Sequence, residues 1–151
     1  RERAWELFSM LNPIHHGSTA DSMQHYRVEP YVMSADIYGA APHTGRGGWS
    51  WYTGAAGWMY QLALETLLGL TLAGDRLLIA PCIPANWQSY SVRYRYRETL
   101  YHITFSCDGE PSGQVQSITL DGVELTDAKV TQAIPLLDDH KSHTVEVVLN
   151  W

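Results

Sequence analysis

Residues 29–60 read EPYVMSADIYGAAPHTGRGGWSWYTGAAGWMY, a Gly-rich loop feeding the start of an apolar helix. A helix N-terminus presents unpaired N–H groups and a partial positive charge. Thr53 adds a hydroxyl at that point, and Gly54 lets an oxyanion approach the backbone. Together they read as an anion site, phosphate above all. Arg46 in the same loop can add a charge-assisted contact. The structural alternative is that the glycines allow a tight turn beside Trp49 and Trp51 while Thr53 merely caps the helix. The stretch is not a P-loop, because GxxxxGK[ST] is absent. Glu29 and Asp36 are the carboxylates close to the loop, and they could contact sugar hydroxyls. Otherwise Glu29 pairs with Arg27 or Arg46, and Asp36 caps a turn.

Other chemistry is less favoured. Seven histidines are present, with His15 next to His16 and His140 three residues before His143. No HExxH or Cys/His spacing accompanies them, so no metal site is expected. Ser18 and Ser50 lack the GxSxG nucleophile elbow. Asp138-Asp139 reads as a solvated turn. Cys82 and Cys107 are too few for a disulfide framework and too far apart for CxxC chemistry, which suits two reduced, half-buried thiols in a reducing compartment.

The elements that must position these residues follow from periodicity. Residues 1–11 read as the end of an amphipathic helix stopped by Asn12-Pro13. Residues 15–25 read as a polar loop, and residues 28–38 as an extended segment containing Pro30. Residues 39–48 hold four Gly and one Pro and form a loop. The strongest helix spans residues 53–73. It is apolar nearly all round, with Gln61 and Glu65 as its polar stripe, so burial in a larger body is expected. From Leu77 the period becomes two. Strands are expected over 91–96, 101–107 and 144–149, with a hairpin at Asp121-Gly122 between 118 and 125. This half reads as an antiparallel sandwich or jelly roll.

The bulk properties narrow the partners. The chain has 151 residues, 10 Lys+Arg against 16 Asp+Glu, and a net charge of -6, which argues against a duplex nucleic-acid binder. No stretch is long and apolar enough to span a membrane. Six Trp and nine Tyr accompany only two Phe. Such rings stack on sugar faces, so a carbohydrate partner enters as a hypothesis beside the plainer reading of core and boundary residues. The chain lacks an initiator Met and opens already in helical periodicity. A piece of a longer polypeptide is therefore expected, with a helical body over 1–75 and a β-domain over 76–151.

The run YRVEPYVMSADIYGAAPHTGRGGWSWYTGAAGWMY closely resembles the inverting phosphorylases of glycoside hydrolase family 94. Within the family it is most similar to the phosphorylase-like C-terminal region of the cyclic β-1,2-glucan synthases. Asn12-Pro13-Ile14, the segment LLIAPCIP at 77–84, Trp87 and Tyr94-Arg95-Tyr96 extend the likeness over nearly the whole chain. The resemblance implies an α+β chain: the last helices and loops of an (α/α)6 barrel over 1–75, then an antiparallel β jelly roll over 76–151. It implies reversible phosphorolysis of a β-glucan, with inversion, to glucose 1-phosphate. Inorganic phosphate is the co-substrate, and no cofactor or metal is implied.

The family's phosphate-binding Thr-Gly pair falls on Thr53-Gly54. His43, Arg46 and Trp49, with Glu29 and Asp36, would line the sugar pocket. The general-acid Asp and a phosphate-contacting His lie upstream of Arg1, so no catalytic acid is assigned within this chain, and alone it should be inactive. Ala35-Asp36 stands where cellobiose phosphorylases carry Gln-Asn, which favours the β-1,2-glucan branch. The implied partners are a β-glucan oligosaccharide, phosphate and the upstream barrel, with another copy able to cover the apolar helix. The implied location is the cytoplasmic side, on a parent anchored in the inner membrane. The competing reading is a glucan-binding or structural module using Trp87, Tyr90, Tyr94 and Tyr96. There the shared parity of Val92 with the last two tyrosines points to core instead.

Overall fold

The computed structural model describes residues 1–51, 54–108, 114–126 and 132–150, and these form a mixed helix-and-sheet (α+β) chain. They divide into two compact units, residues 3–63 and residues 64–151 together with 1–2. The change of period near residue 75 lies inside the second unit.

The first unit is helical. Helix α1 (Glu2–Leu11) ends before Asn12, whose Oδ1 accepts the Ile14 N–H and caps the short helix α2 (Pro13–His16). Pro13 sits where its missing N–H costs nothing. His15 Nδ1 and His16 Nε2 lie 3.1 and 2.7 Å from the Ser9 and Met10 carbonyls, so both rings serve the open C-terminal end of α1. Helix α3 (Ala20–Tyr26) begins with a reciprocal cap between Thr19 and Ser22 and ends at Arg27 in the left-handed conformation. Residues 15–25 are therefore mostly helical. The polar-loop expectation fails because caps, not apolar periodicity, define these short helices.

Helix α4 (Ala55–Gln61) runs into a π-helical segment (Leu62–Leu67). The helix expected to reach residue 73 stops there. Gly69 has φ +71°, and a Cβ on it would sit 2.1 Å from the Ala80 carbonyl carbon. The returning chain pairs with the helix end and the residues just after it: Cys82 N–H donates to Leu67 O and Ala80 N–H to Gly69 O. In this chain by itself Trp58 and Tyr60 of α4 are 73% and 70% exposed.

The second unit holds two sheets. Strands β1 (Leu70–Ala73), β2 (Arg76–Ile79) and β7 (Ala133–Pro135) form an antiparallel three-stranded sheet in that order. The five-stranded sheet comprises β3 (Ser89–Tyr96), β4 (Thr99–Asp108), β5 (Gln114–Leu120), β6 (Val123–Glu124) and β8 (Ser142–Asn150), in the order β3-β4-β8-β5-β6. Period-two alternation buries Tyr101, Ile103 and Phe105 of β4 against Val145, Val147 and Leu149 of β8 and Ile118 of β5. Asp121 and Gly122, both at positive φ, make the expected hairpin turn. Cys82 and Cys107 are half-buried and are not joined in a disulfide.

One pairing departs from the antiparallel expectation: β4 and β8 run parallel, Leu100 facing Ser142 and Asn150 facing Asp108. The cause is local docking of the segment before β8. The fully buried Thr99 hydroxyl accepts the N–H groups of Asp139 and His140 at 2.8 and 2.9 Å, and Leu100 N–H donates to Lys141 O. Tyr101 OH accepts the Leu137 N–H at 2.6 Å. Residues 137–141 are thus fastened to the start of β4, and β8 must leave in the same direction.

Asp139 is accordingly not a solvated turn residue. His143 stacks on Tyr101 and donates from Nδ1 to Asp121 Oδ2 at 2.6 Å and from Nε2 to Asp139 Oδ1 at 3.1 Å. Lys141 Nζ also approaches Asp139, at 3.4 Å. Only the imidazolium can donate both hydrogen bonds. The Asp121 hydrogen bond raises the His143 pKa above its ordinary 6.5, against the opposing effect of burial and with help from Asp139. Asp121 is lowered by His143 and the Thr144 N–H. Asp139 feels burial pushing it up, but hydrogen bonds from His143 and Lys141 prevail and lower it.

The His143 contribution to stability is therefore complete below pH 6.5 and fades as pH rises through its elevated folded value. The aspartate contributions are complete above 3.8 and fade as pH falls through their depressed values. Thermal melts should be highest between these limits and decline on the alkaline side. His143→Gln should flatten that alkaline decline. An NMR titration placing the His143 pKa at or below 6.5 would contradict this assignment.

Candidate functional site

The Gly-rich segment folds back on itself in the first unit. Ile37 and Gly47 form an antiparallel bridge, Tyr38 N–H donates to Arg46 O, and Gly45 N–H returns to Tyr38 O. Asp36 latches the far end: its carbonyl accepts the Gly48 N–H, and its Oδ1 accepts the Trp49 N–H at 2.9 Å. The loop is also fixed to α3, because Gly47 N–H donates to Tyr26 O at 2.8 Å. Tyr26 is buried, stacks on His16 and donates its hydroxyl to Ser34 Oγ at 3.0 Å.

Two glycines are required by these close approaches. A Cβ on Gly47 would lie 2.5 Å from Val28 Cγ2, and one on Gly48 would lie 2.3 Å from Asp36 Oδ2. Two residues before Thr53, Trp51 has φ 69°, a left-handed conformation costing a bulky side chain about 1–2 kcal/mol.

Two hollows border the loop. One, of about 290 Å³, lies between the end of α3 and the loop and is lined by Gln24, His25, Arg27, Pro42, His43, Thr44 and Arg46. The other, of about 220 Å³, is lined by Tyr38, Arg46, Gly47, Gly48 and Trp49. Arg46 borders both. Its Nε–H is buried and has no acceptor among the described residues.

Of the loop residues expected at the site, His43, Arg46 and Trp49 line the hollows, whereas Asp36 lines neither and turns its carboxylate to the Trp49 N–H; Trp49 is 68% exposed. Glu29 lines neither hollow; its carbonyl accepts the Val32 N–H, and no ion pair joins it to Arg27 or Arg46 among the described residues. Gly54 precedes α4, its carbonyl accepts the Trp58 N–H, and the space where a side chain would stand is open out to Trp58. Thr53 lies outside the described residues. Sequence reasoning missed Gln24, His25 and Arg27 as pocket residues. The available signal was the Thr19-x-x-Ser22 cap, which places them at the end of a helix.

Residues 1–69 match the family described as the glycosyl hydrolase 94 superfamily, catalytic domain. The chain belongs to this superfamily. Among its relatives, the cyclic beta-(1,2)-glucan synthase NdvB of Rhizobium meliloti (strain 1021) is 47% identical over 117 residues, 78% of this chain. The solabiose phosphorylase of Paenibacillus borealis is 32% identical over 146 residues, 96% of the chain. The N,N'-diacetylchitobiose phosphorylase of Vibrio furnissii is 34% identical over 128 residues, 84% of the chain. The matched segments span 4%, 18% and 16% of those proteins' own lengths. The superfamily match takes in α1 to α4, hence the whole Gly-rich loop and both hollows.

The Asp36 latch is testable without any ligand. Asp36→Ala removes the acceptor of the Trp49 N–H, a bond worth about 1 kcal/mol. Hydrogen exchange at the Trp49 amide should quicken by about fivefold while β4 and β8 amides keep their protection. Unchanged exchange at Trp49 would show that the carboxylate does not hold the loop.

Proposed function

We propose that this chain is the C-terminal part of a glycoside phosphorylase that transfers glucosyl units between a β-1,2-linked glucan and inorganic phosphate, with inversion. The observation that carries the reading is the 47% identity to a cyclic β-1,2-glucan synthase, on a chain whose first 69 residues match the catalytic domain. The phosphorylases among the relatives support the reaction class. On this reading the helical segment closes an (α/α)6 barrel begun upstream, and the β half is its jelly roll. The parent acts at the cytoplasmic side of the inner membrane.

The chemistry needs few groups. A phosphate oxygen attacks the anomeric carbon as the glycosidic C–O bond breaks, and one carboxylic acid gives its proton to the leaving oxygen. An inverting hydrolase needs a second carboxylate to activate water. Phosphate is already anionic, so that base is dispensable. The acid is supplied upstream. Thr53 holds phosphate through its hydroxyl and Gly54 through its N–H. Asp36, His43, Arg46 and Trp49 form the wall on the sugar side, with Glu29 at its margin.

A second reading, a glucan-binding module in the β half, draws on an open hollow of about 430 Å³ lined by Asn86, Trp87, Gln88, Ser89 and Tyr90. Its rings are committed elsewhere. Tyr90 stacks flat on Phe105 with centroids 4.3 Å apart, and its hydroxyl lies 3.4 Å from the Leu68 carbonyl. Tyr94 and Tyr96 share the half-buried face of β3.

The test uses the parent polypeptide, β-1,2-gluco-oligosaccharides and phosphate, with release of glucose 1-phosphate as readout. Thr53→Val should raise the KM for phosphate about tenfold or more, the worth of one charge-assisted hydrogen bond. An unchanged phosphate KM overturns the role of Thr53. Turnover by the 151-residue chain alone would overturn the upstream acid.

A further inference from the structure

We propose that the hollow between the end of α3 and the 42–46 loop is a second phosphate-binding site, built from residues other than Thr53 and Gly54. Its wall carries two guanidinium groups, Arg27 and Arg46, and two imidazoles, His25 and His43. Gln24 and Thr44 add neutral donors, and no carboxylate lines it. In a chain of net charge -6 that segregation is unusual, and neither arginine forms an ion pair among the described residues.

The wall is set before any ligand arrives. Arg27 is held by its own Nε–H, which donates to Gln24 O at 3.2 Å. His25 packs so closely that a Cβ on Gly45 would lie 2.4 Å from its Nε2. Hydrogen bonds from His43 N–H to Ala40 O and from Arg46 N–H to His43 O stiffen the loop.

Arg46 supplies the sharpest indication. Buried N–H groups are almost always paired, yet its Nε–H has no acceptor among the described residues. Arg46 lines this hollow, so an anion there would provide one once the guanidinium turned to meet it. Cationic donors reach the cavity from two elements, which suits a tetrahedral group with several acceptor oxygens and nearly two charges better than a planar monoanion. The volume of about 290 Å³ exceeds a bare phosphate and admits a phosphate monoester of a small molecule. The hollow shares His43 and Arg46 with the wall proposed on the sugar side, while Gln24, His25, Arg27 and Thr44 belong to it alone.

The experiment is NMR of the labelled 151-residue chain titrated with inorganic phosphate, glucose 1-phosphate or acetate, at ionic strength matched with chloride. Phosphate should produce saturable shifts of the Arg46 Nε–H and of the His25 and His43 ring signals. Glucose 1-phosphate acting at the same signals would identify a monoester site, and phosphate alone a site for the free ion. Arg46→Gln should weaken binding about tenfold or more. Arg27→Gln should do the same, so the question stays open to test if one variant misfolds. Equal affinity for acetate, or no saturable shift at Arg46, overturns the proposal. The Gly54 amide reports on the other anion site separately: shifts confined to Gly54 would sink this proposal and leave that one standing.

Discussion

The helical unit depends on how closely a side-chain-free backbone can approach one tyrosine. Tyr26 closes α3, is almost completely buried, and offers its carbonyl to Gly47, its ring to His16 and its hydroxyl to Ser34. Each contact fixes a different part of the chain to the same residue. The Gly47 contact is possible only without a side chain, because Val28 and the Tyr26 ring occupy the place a Cβ would take. From that anchor the 36–49 loop is fully specified by its own hydrogen bonds, and both hollows are by-products of where it must run.

The β unit is organised around a comparable point, the buried Thr99 hydroxyl. By receiving two backbone N–H groups it fixes the approach of residues 137–141 and so decides that β8 lies parallel to β4. His143, in the first residues of β8, then finds carboxylates at both ring nitrogens. Its protonation joins the hairpin turn at Asp121 to the crossing segment at Asp139. The Asp121 side of that link comes with the antiparallel pairing of β5 and β8, and the Asp139 side with the local turn into β8.

Local patterns in the sequence announced much of this, and the failures are physically informative. The first helix, the alternation of β3, β4 and β8, and the Asp121-Gly122 turn are each decided by neighbours in sequence, so they were legible. Helices α2 and α3 were written in caps, Asn12-Pro13 and Thr19-x-x-Ser22, that an apolar-period reading passes over. The overlong helix to residue 73 arose because Leu70 and Leu72 continue an apolar run. Gly69 and the pairing of residues 70–73 with β2, a nonlocal event, override it. Likewise the direction of β8 depends on a threonine some 40 residues away. At the site, His43 and Arg46 share one loop and were found together, whereas Arg27 and His25 reach the same hollow only through the fold.

What the loop's sequence owes to folding can be separated from what it owes to chemistry. The glycines at 47 and 48 answer to Val28, Tyr26 and Asp36, and Asp36 answers to the Trp49 N–H. Arg46 answers to none of these. Its backbone is used by the loop, but its side chain lies on two hollows with a buried donor that the described protein leaves unmatched. An uncharged residue of similar length would serve the loop equally well and avoid the cost of an unsatisfied buried group. Among the described residues the fold gives no reason for a guanidinium at this position, and the anion proposed for the hollow would supply one.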